Sequence, residues 1–331
     1  MIRKILGPPG TGKTTRLLKY VQTFLKLGTP LDRIGYFAFT KKAANEAKER
    51  MLKLYPQYGY RDLKYFQTLH SLAFATLGMK KDNVMQSEHY EEVGKGIGIE
   101  VTVYKGGEEQ TGYIDSDSEY FNLINIARIK NRTIKEEYDT DLYSDDLEYN
   151  FLKIIEEEVR NYKKSFGLVD FTDMIERFIK SNLCPTFDVI FIDEAQDLSP
   201  IQWKMYDLLK KNSKHIILAG DDDQAIYGWA GADVKRFQSE PAKEKVLPKS
   251  YRVPRKVQQV AYTIISQIET RIPKKWESRN NEGYCEEVYG MEEVDLTRGN
   301  WLILARTNYR LIKLKAGLIE RGIYFEYKDR K

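Results

Sequence analysis

Apolar residues recur along both ends of the chain in a pattern that predicts alternating strands and helices. Short apolar runs predict strands that end at residue 6 and strands at 34–40, 64–67, 187–192 and 215–219. Segments with apolar positions every three or four residues predict helices after the first strand, at 41–55, 68–77 and 171–181, from residue 200 and at 254–268. This alternation favours an α/β fold built on a parallel sheet.

Residues 82–165 break the alternation and differ in composition. They include 20 acidic and 10 basic residues, so this segment carries −10 and the remainder +14 of the total charge of +4. The pattern predicts a hairpin around Gly106–Gly107 and helices near 118–131 and 146–164. We interpret the segment as an inserted, mostly helical subdomain. The basic remainder favours a polyanionic partner, although ordinary solvated surface charge is the alternative.

The last part of the chain resumes the alternation of strands and helices. Residues 301–305, 308–321 and 323–327 predict a strand, a helix and a strand, the opening β-α-β unit of a second α/β domain. We therefore assign a first domain to 1–81 and 166–282, the inserted subdomain to 82–165, and an incomplete second domain to 283–331. A unit this small rarely buries a core of its own.

A glycine-rich segment links the first predicted strand to the first predicted helix. Residues 7–14 match the phosphate-binding pattern G-x-x-x-x-G-K-[ST]. Backbone N–H groups and the helix N-terminus would attract phosphate oxygens, Lys13 would reach the β- and γ-phosphates, and the Thr14 hydroxyl would ligate Mg²⁺. The alternative is a glycine-rich turn without a ligand. The candidate nucleotide-binding residues of this segment are Gly10, Thr11, Gly12, Lys13, Thr14 and Thr15.

A second half-site follows the apolar run at 187–192. The run predicts a strand buried on both faces of a parallel sheet, and it ends in Asp193 and Glu194. The carboxyl ends of such strands are where open α/β sheets bind ligands. Asp193 would hold Mg²⁺ and Glu194 would orient or deprotonate the attacking water in phosphoryl transfer. Together with the phosphate-binding segment, these carboxylates predict an ATPase that uses ATP and Mg²⁺.

Composition argues against several classes of protein. No stretch approaches the ~20 apolar residues of a membrane-spanning helix, and no apolar signal region precedes the first strand. Cys184 and Cys285 lie far apart in sequence, which argues against a disulfide scaffold or a zinc site and for a reducing compartment. We expect a cytoplasmic protein without a membrane partner.

Several further strings occur in order along the chain. They are Phe37-Ala38-Phe39-Thr40-Lys41-Lys42-Ala43-Ala44, Thr68-Leu69-His70-Ser71, Asp193-Glu194-Ala195-Gln196-Asp197, Gly220-Asp221-Asp222-Asp223-Gln224-Ala225-Ile226-Tyr227-Gly228-Trp229, Ser250-Tyr251-Arg252 and Ile303-Leu304-Ala305-Arg306-Thr307-Asn308. Outside the inserted subdomain, the chain thus resembles the UvrD/Rep family of superfamily 1 DNA helicases. The resemblance implies a RecA-like P-loop NTPase domain and ATP-dependent 3′-to-5′ movement along single-stranded DNA, in repair or replication.

The resemblance also implies roles in ATP chemistry. Gln224 would sense the γ-phosphate, because a side-chain amide can donate to phosphate and accept from water. Tyr251 would stack on adenine, and Arg252 would pair with the γ-phosphate and stabilise charge in the transition state. A surface Tyr-Arg pair without a ligand is the alternative. The candidate catalytic residues are Lys13, Asp193, Glu194, Gln224 and Arg252.

For DNA, the resemblance implies contacts from Phe39, Thr40, His70, Tyr227 and Trp229. Trp229 would stack a base, an interaction worth ~1–3 kcal/mol that tolerates any sequence, and packing in the core is its alternative. Phe39 would either stack a base or end a core strand. His70 would either touch a backbone phosphate or cap the helix that it begins. The expected partner is single-stranded DNA or a duplex with a 3′ tail.

Three features depart from the family pattern. Ala230 stands where the family often has an arginine that contacts DNA. The family's adenine-reading glutamine upstream of the phosphate loop has no counterpart, and neither do its last two motor motifs, one of which supplies a second arginine. We therefore expect residues 1–331 alone to bind nucleotide and single-stranded DNA, to hydrolyse ATP slowly and not to unwind a duplex. A C-terminal motor domain or a partner chain would complete the track.

Two other functions stay open at this point. A nucleotide-gated single-stranded-DNA binding module would have the same sites but would not move, and DNA stimulation of ATP hydrolysis distinguishes it from a motor. A different phosphate-loop enzyme, such as a nucleoside kinase, would have no use for Gln224, Trp229 or the Tyr251–Arg252 pair. Failure to bind single-stranded DNA at moderate salt would favour that alternative.

Overall fold

The centre of the molecule is a parallel β-sheet. The computed structural model describes residues 1–104, 111–140 and 147–326. In chain order the strands are β1 (Ile2–Leu6), β2 (Ile34–Phe37), β3 (Phe66–Gln67), β4 (Val103–Tyr104), β5 (Asp115–Ser116), β6 (Phe187–Ile192), β7 (Ser213–Gly220) and β8 (Lys243–Val246). Six of them form one sheet in the order β3-β2-β6-β7-β1-β8, and every neighbouring pair is parallel. The α/β fold expected from the sequence is therefore confirmed.

Helices cover both faces of this sheet and form most of the inserted segment. In chain order they are α1 (Lys13–Lys26), α2 (Lys41–Leu54), α3 (Leu69–Thr76), α4 (Ser87–Gly96), α5 (Glu119–Ile129), α6 (Ile134–Tyr138), α7 (Tyr149–Phe166), α8 (Phe171–Lys180), α9 (Pro200–Lys211), α10 (Val234–Ser239), α11 (Arg255–Ile265) and α12 (Asn308–Glu320). The helices predicted from the sequence are confirmed, with ends that differ by a few residues. Polar side chains cap the N-termini of several helices. At the start of α2, for example, the Thr40 hydroxyl accepts from the N–H of Ala43.

The alternation of side chains along the strands divides the core into two layers. In β6, Ile190 and Ile192 face a layer that includes residues of α3, α8 and α9. Val189 and Phe191 face the opposite layer, which includes residues of α1 and α2. Strand side chains alternate between the two faces of a sheet, so a continuous apolar strand of this kind must be covered on both faces.

The inserted segment packs around a third apolar cluster of its own, formed by residues of α4, β4, α5, α6 and α7. The flanks of the predicted hairpin pair as expected, because β4 and β5 are antiparallel, with Val103 opposite Ser116. The turn around Gly106–Gly107 lies outside the described residues.

Ion pairs join α5 and α7 to α8. Asp170 caps α8 by accepting from the N–H of Asp173 at 2.8 Å. Lys163 of α7 donates to Asp170 and Asp173 at 2.7 and 2.8 Å, and the guanidinium of Arg128 on α5 contacts both carboxylates. Although burial favours the neutral acid, Arg128 and Lys163 hold the pKa of Asp170 well below its usual range. The cluster therefore stays charged at neutral pH and fixes α5 and α7 against α8.

The end of the chain differs from its prediction. In the described part of residues 283–326 the structure assigns the helix α12 but no strand, so the strands predicted at 301–305 and 323–327 are wrong as far as residue 326. A strand needs a neighbour for its backbone N–H and C=O groups, and no described segment pairs with these residues. Leu302 and Leu304 are 82% and 80% exposed. No helix within the described ranges is long and apolar enough to cross a membrane.

Candidate nucleotide and DNA site

The phosphate-binding segment lies at the carboxyl edge of the sheet, between β1 and α1. Gly12 adopts φ 80° at the N-cap of α1, a left-handed conformation that favours glycine. Gly10 has φ 71°, and a side chain there would place its Cβ 2.4 Å from the Cβ of Arg252. The glycines thus allow a tight loop that approaches the segment carrying Arg252. Thr11 closes the loop because its hydroxyl donates to the carbonyl oxygen of Pro8 at 2.7 Å.

Lys13 begins α1 and folds back over this loop. Its Nζ donates to the carbonyl oxygen of Gly7 at 3.1 Å and lies 3.3 Å from Oε2 of Glu194. The ammonium group is thereby held between the loop and the carboxylates that follow β6. Thr15, the next-but-one residue, is exposed on α1. A phosphate bound by the loop would lie close to the positive charge of Lys13.

Oxygen atoms of Thr14 and Asp193 converge at the same edge. Oδ2 of Asp193 accepts from the Thr14 hydroxyl at 3.0 Å and from the Tyr36 hydroxyl at 2.8 Å. Burial and the neighbouring Glu194 carboxylate raise the pKa of Asp193, and a bound cation would reverse that effect. Hydroxyl and carboxylate oxygens are the donor set that Mg²⁺ prefers. Among the described residues, no group of three or more His, Cys, Asp or Glu side chains is placed to hold a metal ion.

The backbone turns sharply after β6. Glu194 adopts φ 55°, which is uncommon for a residue with a side chain, and its carboxylate faces Lys13. Gln196 donates from Nε2 to Glu194 at 3.1 Å and to Asp197 at 2.9 Å. The second oxygen of Asp197, Oδ1, is buried without a hydrogen-bond partner among the described residues. Burial and the Glu194 charge raise the pKa of Asp197 to about 7. A buried carboxylate oxygen without a partner marks a polar site at this turn.

The loop after β7 is connected through Gln196 to the Glu194 carboxylate. Gln224 donates from Nε2 to Asp221, and the N–H of Asp221 donates to Oε1 of Gln196 at 3.1 Å. Gln224 is therefore held two hydrogen bonds away from Gln196, which itself contacts Glu194. The sequence places Gln224 near the γ-phosphate only by resemblance. The structure connects its loop to the Glu194 carboxylate.

The segment after β8 reaches the phosphate-binding loop from the other side. The hydroxyl of Ser250 donates to the carbonyl oxygen of Pro9 at 2.7 Å, and the N–H of Tyr251 donates to that of Gly10 at 2.9 Å. The side chains of Tyr251 and Arg252 are exposed beside the loop. They are free to reach a nucleotide bound there, as their predicted roles require.

Four aromatic side chains contact one another in a row that includes Tyr227 and Trp229 of the loop after Gln224. Trp229 is 56% exposed, so the alternative that it packs in the core is wrong. Its ring contacts Tyr113 edge-on at a centroid distance of 5.3 Å and Tyr227 at 6.4 Å, and Tyr227 contacts Phe39 at 5.0 Å. We call Phe39, Tyr227, Trp229 and Tyr113 the aromatic row. Within it, Trp229 offers the ring surface that a base can stack on.

Two other predicted DNA contacts are less accessible. Phe39 is 6% and His70 5% exposed, and the His70 ring packs edge-on against Phe171. Thr68, not His70, caps α3, because its hydroxyl accepts from the N–H of Ser71 at 3.1 Å, so the capping alternative is wrong. Burial and the Lys41 charge lower the pKa of His70 to about 4. DNA contacts by Phe39, Thr40 and His70 stay predictions.

Four residues that belong to this site received no role from the sequence. The Tyr36 hydroxyl donates to Asp193, and Asp197 accepts from the amide of Gln196. Gln196 bridges β6 and β7, and Tyr113 packs on Trp229. Gln196 and Asp197 lie within a string quoted for the resemblance, which was a usable signal. Tyr113 belongs to the inserted segment, and nothing local in its sequence connects it to residue 229.

A parallel sheet with a phosphate-binding loop after β1 and carboxylates after β6 defines an α/β fold of the P-loop nucleotide-binding class. Residues 2–245 match the sequence model of the UvrD/REP helicase N-terminal domain, and the chain belongs to this family. The resemblance to the UvrD/Rep family that the motifs indicated is thereby confirmed.

Several curated proteins are similar to most of the chain. It is 28% identical over 298 residues to a probable DNA helicase of Mycoplasma pneumoniae, covering 81% of this chain and 53% of that protein. Identity is 26% to the putative ATP-dependent DNA helicase YjcD of Bacillus subtilis, covering 84% and 38%, and 24% to the ATP-dependent DNA helicase Rep of Buchnera aphidicola, covering 97% and 49%. The chain thus spans about half the length, or less, of the curated relatives it matches.

Proposed function

We propose that this chain is the ATP-binding part of a UvrD/Rep-type DNA helicase that couples ATP hydrolysis to 3′-to-5′ movement along single-stranded DNA. The observation that carries the proposal is the loop from Asp221 to Trp229. At one end it is bonded through Gln196 to the Glu194 carboxylate, and at the other it exposes an aromatic ring. The names of the relatives, ATP-dependent DNA helicases, support the same function.

The phosphate-binding loop would hold the ATP phosphates. Gly10, Gly12 and the N-terminus of α1 present backbone N–H groups to them, and Lys13 leaves Glu194 to contact the β- and γ-phosphates. Thr14 and Asp193 would hold Mg²⁺. When bound, that ion neutralises developing charge on the transferred phosphoryl group.

Glu194 would act on the attacking water once Lys13 has turned to the phosphates. Its carboxylate lies at the carboxyl edge of the sheet, fixed by the amide of Gln196. There it can orient the water and accept its proton. Arg252 and Gln224 approach from the two neighbouring loops, where a cation and an amide can stabilise and sense the γ-phosphate. Tyr251 is exposed next to Arg252 and would stack on adenine.

Single-stranded DNA would bind through the aromatic row and basic surface, without sequence preference. Trp229 supplies the stacking surface, and phosphate neutralisation by lysines and arginines adds a salt-dependent part. Because Trp229 and Gln224 share one short loop, a change at the γ-phosphate would alter the grip on the strand. This is the coupling that a motor requires.

Residues 1–331 alone would bind nucleotide and DNA but hydrolyse ATP slowly and not unwind a duplex. The second candidate function, a nucleotide-gated single-stranded-DNA binding module, describes this limited behaviour. The exposed Trp229 ring on the loop that reaches Glu194 through Gln196 would serve such a module as well. Within residues 1–331, Arg252 would stabilise part of the charge of the transition state, and an arginine of this kind is worth ~10³–10⁵ in rate.

ATP hydrolysis by residues 1–331, measured with and without single-stranded DNA, tests the proposal. DNA-stimulated hydrolysis that Glu194→Gln abolishes, with nucleotide binding retained, supports a motor ATPase. DNA binding without stimulated hydrolysis supports the binding module. A strand-displacement assay on a duplex with a 3′ tail tests whether residues 1–331 alone can unwind DNA. Robust displacement would show that the expected lack of unwinding is wrong.

A further inference from the structure

A buried lysine lies among three consecutive aspartates next to the candidate γ-phosphate sensor. The Lys274 side chain is fully buried, and its Nζ lies 3.1 Å from Oδ1 of Asp221 and 3.0 Å from Oδ2 of Asp223. It also donates to Oδ1 of Asp222 and to the carbonyl oxygen of Ile272. The family resemblance assigned no role to this lysine, which follows the matched residues 2–245.

The neighbours of Lys274 strengthen the same attachment. Arg271 forms two hydrogen bonds with Asp223, from Nε at 2.7 Å and from Nη2 at 2.6 Å. The N–H of Ile272 donates to Oδ2 of Asp222 at 2.7 Å. Bidentate Arg–carboxylate pairs fix geometry as well as charge. Residues 271–274 therefore hold the start of the loop that carries Gln224.

Residues 277–279, which follow Lys274 in the chain, are hydrogen-bonded to the loop that carries Arg252. The N–H of Ser250 donates to the carbonyl oxygen of Glu277 at 2.8 Å, and the N–H of Glu277 donates to that of Pro248 at 2.7 Å. The N–H of Arg279 donates to the carbonyl oxygen of Val253 at 2.9 Å. We call residues 271–279 the bridging segment, because it contacts residues on both sides of Arg252 and, nearer its start, the aspartates before Gln224.

The charge on Lys274 is essential to this arrangement. Although burial disfavours the charged form, the hydrogen bond to Asp222 and the Asp221 and Asp222 charges hold the pKa of Lys274 above its ordinary value. Asp221 in turn accepts the side-chain amide of Gln224 through Oδ2, while its Oδ1 faces Lys274. Without the ammonium group, the Asp221 carboxylate would lose its buried counter-charge, and its orientation toward Gln224 would no longer be fixed.

We propose that Lys274 is a positioning residue that fixes Gln224 through Asp221 and, through the bridging segment, links the position of Gln224 to that of Arg252. The two γ-phosphate contacts would then move as one unit when nucleotide is bound or hydrolysed. Because its side chain is fully buried among the aspartates, Lys274 would act through them and not by contact with nucleotide or DNA. The proposal deepens the proposed function and rests on it.

The variants Lys274→Met and Arg271→Gln test the proposal, with Lys275→Met as the matched control. Lys275 is the next residue of the same segment, is exposed and forms no ion pair among the described residues, so its substitution removes an equal charge without touching the aspartates. The readout is the ratio of ATP hydrolysis rates with and without single-stranded DNA, which does not depend on the fraction of folded protein. A fluorescent ATP analogue gives the affinity and the number of sites per chain.

We expect Lys274→Met to lower the stimulation ratio by about tenfold, equivalent to about 1.4 kcal/mol in the stimulated barrier, with analogue affinity unchanged. Arg271→Gln should lower it less, and Lys275→Met should leave it unchanged. An unchanged ratio in both Lys274→Met and Arg271→Gln overturns the proposal, and so does an equal loss in Lys275→Met. If Lys274→Met does not fold, the comparison of Arg271→Gln with Lys275→Met decides.

A second readout separates this proposal from the proposed function. Hydrogen exchange of residues 271–277 is followed with and without a non-hydrolysable ATP analogue. In the parent chain, binding of the analogue should slow hydrogen exchange in the bridging segment and in residues 248–253. In Lys274→Met, the analogue should still slow exchange in residues 248–253 but no longer in the bridging segment. If the parent shows the gain but no DNA-stimulated hydrolysis, the proposed function fails and the link through Lys274 stands. If the gain persists in Lys274→Met, the link fails.

Discussion

Gln196 joins the ends of β6 and β7, because its Oε1 accepts from the backbone N–H of Asp221 at 3.1 Å. Its Nε2 donates to the carboxylates of Glu194 and Asp197, and the side chain is 1% exposed. A Cβ on Gly220 would lie 2.6 Å from Oε1, so this close approach requires glycine at that position. One amide thus connects the candidate general base with the loop that leads to Gln224 and Trp229.

Replacing Gln196 by alanine should uncouple these two loops. The substitution leaves the buried N–H of Asp221 without its acceptor, which costs ~1–3 kcal/mol of stability. It also frees Glu194, so DNA-stimulated ATP hydrolysis should fall while ATP analogue affinity changes little. Steady-state hydrolysis with and without DNA and chemical unfolding measure the two effects. Gln57→Ala, at an exposed position, is the control, and equal hydrolysis rates in both variants would contradict the prediction.

Replacing Lys13 by alanine should weaken nucleotide binding by at least about tenfold, or about 1.4 kcal/mol. The reason is the loss of the charge that the loop holds beside Glu194, 3.3 Å away. Titration with a fluorescent ATP analogue in the presence of Mg²⁺ measures the affinity. Lys19→Ala, on the exposed face of the same helix, should bind like the parent. If Lys13→Ala did so too, the assignment of the phosphate-binding loop would be wrong.

The sequence was sufficient where the chemistry is local. The phosphate-binding loop is one contiguous string between a strand and a helix, and Asp193 and Glu194 directly follow a strand whose burial is visible from its composition. Contacts between distant segments could not be predicted in this way. Lys274 meets Asp221 only because the chain returns to the end of β7 after β8 and α11.

The strand predicted at 301–305 failed for a related reason. Its apolar residues fit a buried strand, but a strand also needs neighbours that no property of residues 301–305 can supply. The described residues provide none, and Leu302 and Leu304 stay exposed. Tyr113 shows the reverse error, a contact that the sequence did not predict. It lies in a segment of acidic composition, and in the structure it packs on Trp229.

Replacing Trp229 by alanine should weaken single-stranded-DNA binding by ~1–3 kcal/mol, because the base loses its stacking surface. Fluorescence anisotropy with labelled oligonucleotides of different sequence measures the affinity, which should fall steeply with salt for parent and variant alike. Trp301 is also 56% exposed, which makes Trp301→Ala a matched control. Equal affinity of Trp229→Ala and parent would remove this residue from the DNA site.

Replacing Tyr113 by alanine should weaken DNA binding less than Trp229→Ala does. Tyr113 supports the Trp229 ring edge-on at 5.3 Å, and its loss leaves the tryptophan able to stack but less well fixed. The same anisotropy titration measures the effect. Tyr289 is 98% exposed, and Tyr289→Ala should bind DNA as the parent does. A larger loss in Tyr113→Ala than in Trp229→Ala would mean that Tyr113 itself holds the strand.

The buried His70 should make folding stability depend on pH. Its pKa is lowered to about 4 in the folded protein by burial and by the Lys41 charge, against the opposing Asp170 charge, whereas the unfolded chain has the ordinary value near 6.5. Between these values the unfolded state binds more protons than the folded state. The stabilisation is therefore complete above about pH 6.5 and is lost as the pH falls toward about 4, by about 3 kcal/mol in total.

Urea unfolding of the parent and of His70→Gln, repeated from pH 7.5 to pH 4, isolates this contribution. Other groups titrate in the same range, but they are common to both proteins, so the difference between the two free energies of unfolding reports His70. That difference should shift in favour of the variant as the pH falls, because glutamine cannot bind the proton that the unfolded parent takes up. A difference that stays constant with pH would mean that His70 is accessible to protons in the folded protein, and this would contradict the prediction.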